Sequence, residues 1–166
     1  MTKPNLEFAR PSRMKIFACY MYEGMLLLAV IFVTSYAFDS LTQRTEVEKY
    51  FWISQALIFI AIGLYFVLSW RAKGQTLPMK TWNIGVKTFN SQKPSTGRLI
   101  IRYISAWIIP LIGAFVVDQV SKMLGWASVT VFVFFTPFLN FVYSWLDPKG
   151  LFLQDRLSGT YLTLVK

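Results

Sequence analysis

Four long apolar runs set the limits on what this chain can fold into. They cover residues 14–38, 50–70, 99–117 and 126–146. A helix needs about 20 predominantly apolar residues to cross the hydrocarbon core of a bilayer, and each run meets that need. The rest of the chain agrees with this reading. Hydrophobic residues make up 55% of the 166 residues and charged residues 15%, whereas a soluble domain carries about 25% charged residues. The sequence therefore predicts an all-α integral membrane protein, a single membrane domain over residues 1–166 with about four transmembrane helices. The first run is too long for a signal-peptide core, and no small-residue cleavage site follows it. It reads as a retained helix. The third run is the weakest, because Arg102 lies in its first turn and Pro110 near its centre. Arg102 can snorkel to the interface, and Pro110 can kink the helix or make it re-entrant.

Lysine and arginine set the expected orientation. With the N-terminus in the cytoplasm, 14 of the 17 basic residues fall on the inner side. That places the protein in the cell inner membrane as a multi-pass chain with both termini cytoplasmic. Trp52, Trp70, Trp126 and Trp145 lie at the ends of runs, as interfacial aromatics do. The basic residues flank apolar runs, so the net charge of +9 points to anionic lipid headgroups and not to nucleic acid. The largest soluble piece is the inner loop, residues 71–98. TWNIGVKTF within it alternates as a short strand does, and NSQKPSTG is turn material. This gives a short cytoplasmic β-like element. The tail LSGTYLTLVK has similar character and fits a second strand or a frayed end equally well. GQTLPMKTW reads as a turn and an amphipathic piece, with Met79 and Trp82 dipping into the membrane and Lys80 outside. No internal repeat is visible.

Glu23 is the anomaly in the first run, within ACYMYEGMLLLAV. It lies roughly 13 Å past Met14 along a helix, in the inner half of the bilayer. A charge at the centre of a membrane helix costs at least about 2.5–3.5 kcal/mol. Protonation or pairing lowers that cost, so Glu23 is either a proton-handling group or a structural one, neutral or hydrogen-bonded to a Tyr or Ser of another helix. Cys19 and Tyr20 share its face at four and three positions. Arg102 is the one basic residue inside the third run, and pairs with Glu23 or snorkels. Thr136 and Asn140 share a face of the fourth helix, and Pro137 beside them frees a backbone carbonyl. They are lower-ranked candidates, as cavity ligands for a cation or as helix-packing hydrogen bonds. Asp155 caps a short helix, pairs with an inner-loop base or lies solvated near the headgroups. The chain has no His and one Cys. With no nucleophile beside a base, no metal cluster and no nucleotide motif, the expectation is a protein that is not an enzyme, with no cofactor and no metal.

At these residues the chain resembles the RDD family of bacterial membrane proteins. GQTLPMKTW is similar to that family's inner-loop signature, and QDRLSGT to its closing motif. ACYMYEG and RLIIRYISAW resemble a branch of the family that has Glu in place of its first Asp. The resemblance implies that Glu23 takes the place of the first family aspartate and Asp155 that of the second. Arg13 and Lys15 both lie near the place of the family arginine, and neither matches its usual spacing to the acid. Gly74, Gln75, Thr76, Lys80, Gly159 and Thr160 are the matching signature positions. The resemblance also implies transport, with cation/proton exchange suggested for some members.

The leading expectation is a small inner-membrane transport protein for a cation or small solute, coupled to protons through Glu23. The competing one is a non-transporting assembly or interaction factor bound to a larger membrane complex. Four helices are few for a carrier that builds its site between repeats, so a homodimer or larger complex is the natural way to complete one.

Overall fold

The computed structural model describes residues 10–42, 47–89 and 93–165. Part of the expected outer loop, residues 43–46, and part of the expected turn, residues 90–92, lie outside the described residues. Four helical spans are long and apolar enough to cross a membrane, and a small two-stranded sheet accompanies them. The chain divides into two compact units, residues 1–87 with 162–166, and residues 88–161.

The first unit is built on a hairpin of two long helices, α1 (Arg13–Thr42) and α2 (Val47–Lys73). Ser12 starts α1, its hydroxyl accepting the Lys15 N–H at 3.3 Å and its carbonyl the Ile16 N–H at 3.1 Å. Gly74 stops α2 in the left-handed region, at φ 72°. Its N–H still reaches the Trp70 carbonyl at 2.8 Å, a glycine C-cap. A short helix follows, α3 (Leu77–Thr81), and then strand β1 (Ile84–Thr88). Thr76 caps α3, and Pro78 stands in the first turn, where no N–H is missed. The tail strand β2 (Thr160–Leu164) pairs with β1, and Val165 N–H donates to Asn83 O at 2.9 Å. The tail is therefore a paired strand and not a frayed end. The amphipathic reading of α3 needs one correction. Met79 is buried inside the protein, taking the indole N–H of Trp70 at 3.4 Å, while Lys80 is exposed as expected.

The second unit holds the other two spans, and both are broken helices. The third consists of α4 (Thr96–Ala106) and α5 (Ile108–Leu124), which meet at Trp107. Pro110 explains the joint. It has no N–H to give the carbonyl of Ala106, four residues back, and the Asn140 amide donates to that carbonyl at 3.3 Å instead. The apolar stretch is nonetheless 29 residues long. The fourth span opens as a 3-10 helix (Ala127–Phe138) and continues as α6 (Leu139–Leu146). A plain α-helix is expected there from hydropathy alone. Val129, Thr130, Val131 and Val133 are β-branched and interleaved with phenylalanines, a composition that weakens α-helix. Pro137 then removes one more donor. Gly113 on α5 lets the two spans approach closely. A Cβ there would stand 2.5 Å from Leu139 Cδ1 and 3.2 Å from Thr136 Cβ. The short helix α7 (Leu153–Ser158) completes the unit.

Burial in this protein is inverted relative to a soluble one. Leu28, Phe32, Phe115 and Phe134 stand exposed on the spans, whereas Glu23, Arg102, Ser105, Thr136, Asn140 and Asp155 are buried. Apolar surface facing outward and polar groups facing each other is the arrangement that a bilayer selects.

Candidate functional site: two buried carboxylates

Among the described residues, Glu23 in the first unit and Asp155 in the second are buried acids, and the two are held in different ways. In the first unit Glu23 projects from α1 and is 8% exposed. The Tyr65 hydroxyl on α2 donates to its Oε1 at 2.6 Å. The Thr76 hydroxyl, just before α3, donates to its Oε2 at 2.6 Å. Thr76 also accepts the Met79 N–H at 3.4 Å, so one hydroxyl both caps α3 and binds the acid. Both partners of Glu23 are neutral. A hydroxyl donates or accepts as required. If Glu23 is protonated, its O–H can therefore donate a hydrogen bond to the Tyr65 or Thr76 hydroxyl, which turns to accept it.

The Gly-Gln-Thr signature builds that pocket. Gly74 makes the left-handed stop, and its carbonyl takes the Val86 N–H at 2.9 Å. The Gln75 amide donates to Ile84 O at 2.7 Å. These two contacts tie the loop to β1 and leave Thr76 aimed at α1. Cys19 is buried one turn from Glu23, and Tyr20 is half-buried.

In the second unit Asp155 and Arg102 form a salt bridge, with side chains 1% and 4% exposed. Arg102 Nη1 also donates to the Thr160 hydroxyl at 2.7 Å. That hydroxyl lies 2.6 Å from the hydroxyl of Ser158. The second oxygen of Asp155 takes the Phe152 N–H at 3.1 Å, at the start of α7. Asp155 thus both caps a short helix and neutralises a base. Gly159 turns the chain at φ 65°, and the Arg98 guanidinium lies over it.

The carboxylate that meets Arg102 is therefore Asp155, and Glu23 is held by two hydroxyls. Arg102 is buried in this pairing, so it is not at the surface as snorkelling would require. Arg13 and Lys15 stand exposed at the start of α1. Thr136 donates to the Val133 carbonyl at 2.8 Å, and Asn140 bridges Ala106 O and Pro137 O. Both serve carbonyls beside the two broken spans. Tyr65 is the site residue that sequence reasoning passes over. Its signal is a tyrosine in the body of a span and away from the interfacial belt, where the hydroxyl needs a partner.

The RDD family model matches residues 10–159, nearly the whole of the described chain. No curated protein and no solved structure matches.

Proposed function

We propose, for a chain that belongs to the RDD family and carries four helices able to span a membrane, a role in transport coupled to protons. The protein takes up a proton at Glu23 and moves a cation or small solute in exchange. It is a carrier and not an enzyme, and it lies in a bacterial inner membrane with both termini cytoplasmic. Its basic inner face rests on anionic headgroups. A homodimer or larger assembly supplies the rest of the translocation path.

One observation carries this reading. Glu23 is a buried carboxylate whose partners are the neutral hydroxyls of Tyr65 and Thr76. With neutral partners, a proton is what neutralises this acid, whereas Arg102 neutralises Asp155. The Arg102–Asp155 pair favours a second reading, in which the chain is a rigid membrane factor that assembles with a larger complex.

The test is purified protein in liposomes under a pH gradient. Cation-dependent proton flux that vanishes in Glu23→Gln, with folded yield unchanged, supports transport. Absence of flux with every cation tried, together with stable co-purification of a partner complex, would overturn it in favour of the assembly role.

A further inference from the structure

The two halves of the chain, residues 13–88 and 96–164, follow one plan in the same order. Each begins with a hairpin of two spans. Each hairpin is followed by a left-handed glycine, Gly74 in the first and Gly150 in the second. A short helix comes next, α3 or α7, which packs on the first helix of its own hairpin. A second left-handed residue follows, Asn83 or Gly159, and then a strand of five residues. Each half also has a buried polar contact between the first helix of its hairpin and the short-helix segment, made at Thr76 just before α3 and at Asp155 inside α7. Glu23 on α1 reaches Thr76 across 53 residues of sequence, and Arg102 on α4 reaches Asp155 across the same 53. No repeat is legible in the residues themselves, because the two contacts differ in chemistry and in their place along the short-helix segment.

We infer that the two halves are copies of one design, and that Thr76 is the residue that makes the first copy the proton site. In the second copy the contact joins a base on the helix to an acid, so the charges cancel. In the first copy it joins an acid on the helix to a neutral hydroxyl. The groups facing Glu23 are Cys19 from its own helix, Tyr65 from α2 and Thr76 from the start of α3; Lys80 of α3 is exposed. None of the facing groups brings a positive charge, which leaves a proton to neutralise the acid. Thr76 acts as a positioning residue. It fixes the carboxylate by a hydrogen bond and brings no compensating charge, whereas the contact of the second copy is an Arg102–Asp155 ion pair. This inference rests on proton uptake at Glu23, but not on transport.

The experiment is infrared titration of the full chain in phosphatidylcholine/phosphatidylglycerol vesicles, following the carbonyl band of protonated carboxyl groups. Subtracting the Glu23→Gln spectrum isolates the Glu23 carboxyl from the other acidic side chains, and a titrating component is expected in that difference. Thr76→Val removes the hydroxyl at nearly constant volume. It should displace the midpoint by about one pH unit, the size of one hydrogen bond to a charged group, and Thr76→Ser should restore it. Thr76→Arg supplies the missing charge and should remove that component from the accessible range. A midpoint of that component unmoved in Thr76→Val would overturn the inference, as would a wild-type minus Glu23→Gln difference with no titrating component. A normal titration without liposome flux would sink the transport reading and leave this inference standing. Flux that needs Glu23 but ignores Thr76 would do the reverse.

Discussion

Arg102 and Asp155 are far apart in sequence and meet as a salt bridge almost closed to solvent, which joins the third span to α7. Removing one partner of a buried pair strands the other charge and costs about 3–5 kcal/mol. Arg102→Met and Asp155→Asn should each lose about that much stability in detergent. The double variant should recover part of it, because with both charges removed neither is left stranded. A double-mutant cycle on unfolding midpoints checks this. Strictly additive losses would mean that the two residues act separately.

The spans were legible because a bilayer imposes one requirement, about 20 apolar residues, and the chain states it plainly. Strand β1 was also legible, from period-two alternation around Val86. The partner of Arg102 was not. Depth alone puts Glu23 and Arg102 at similar levels, while the true partner sits beyond the last span, in a segment whose local sequence permits a cap, a pair or a solvated acid. The Tyr65 contact was hidden for a related reason. Hydropathy counts tyrosine by composition, whereas its hydroxyl matters only when the opposing helix supplies an acid. The 3-10 course of the fourth span was lost because hydropathy is indifferent to helix type.

Asn140 should be structural through Pro110. The proline leaves the Ala106 carbonyl without its helical donor, and the Asn140 amide fills that place. Asn140→Ala should cost about 1–2 kcal/mol, the range for interhelical hydrogen bonds in membranes. Pro110→Ala restores a backbone donor, so the same Asn140 substitution should cost much less in that background. Comparing Asn140→Ala in the two backgrounds by thermal unfolding decides the point. An equal cost in both would reject the link.

Gly113 is a packing position. An added Cβ meets Leu139 Cδ1 at 2.5 Å and Thr136 Cβ at 3.2 Å. The leucine terminus can swing aside, but the threonine Cβ is fixed to its backbone. Gly113→Val should therefore destabilise the second unit by about 1–3 kcal/mol, the range for overpacking. Trimming the flexible neighbour with Leu139→Ala should relieve Gly113→Ala more than Gly113→Val. Unfolding midpoints of the four variants test the order, and equal relief in both would argue against the contact.

The loop after the fourth span should carry an acid-sensitive contribution to stability. Burial alone would raise the Asp147 carboxyl, but it is outweighed. The Leu151 N–H, the Arg156 guanidinium and the Lys149 N–H all favour the ionised form, and they hold the carboxyl below its ordinary value of 3.8. Both backbone contacts are 2.9 Å, and the Arg156 pair closes the loop onto α7. A group depressed in the folded state stabilises it above the unfolded value. That contribution is lost as pH falls through the lower folded value. Wild type should therefore melt above Asp147→Asn at pH 6, and the gap should narrow below about pH 3.8. Arg156→Gln should show a smaller gap from wild type with the same pH trend, because the two backbone donors remain and the Arg156 side chain is 44% exposed. Melting curves in a non-ionic detergent between pH 2 and 6 would measure it. A gap that stays constant over that range would show that Asp147 acts there by loop shape and not by charge.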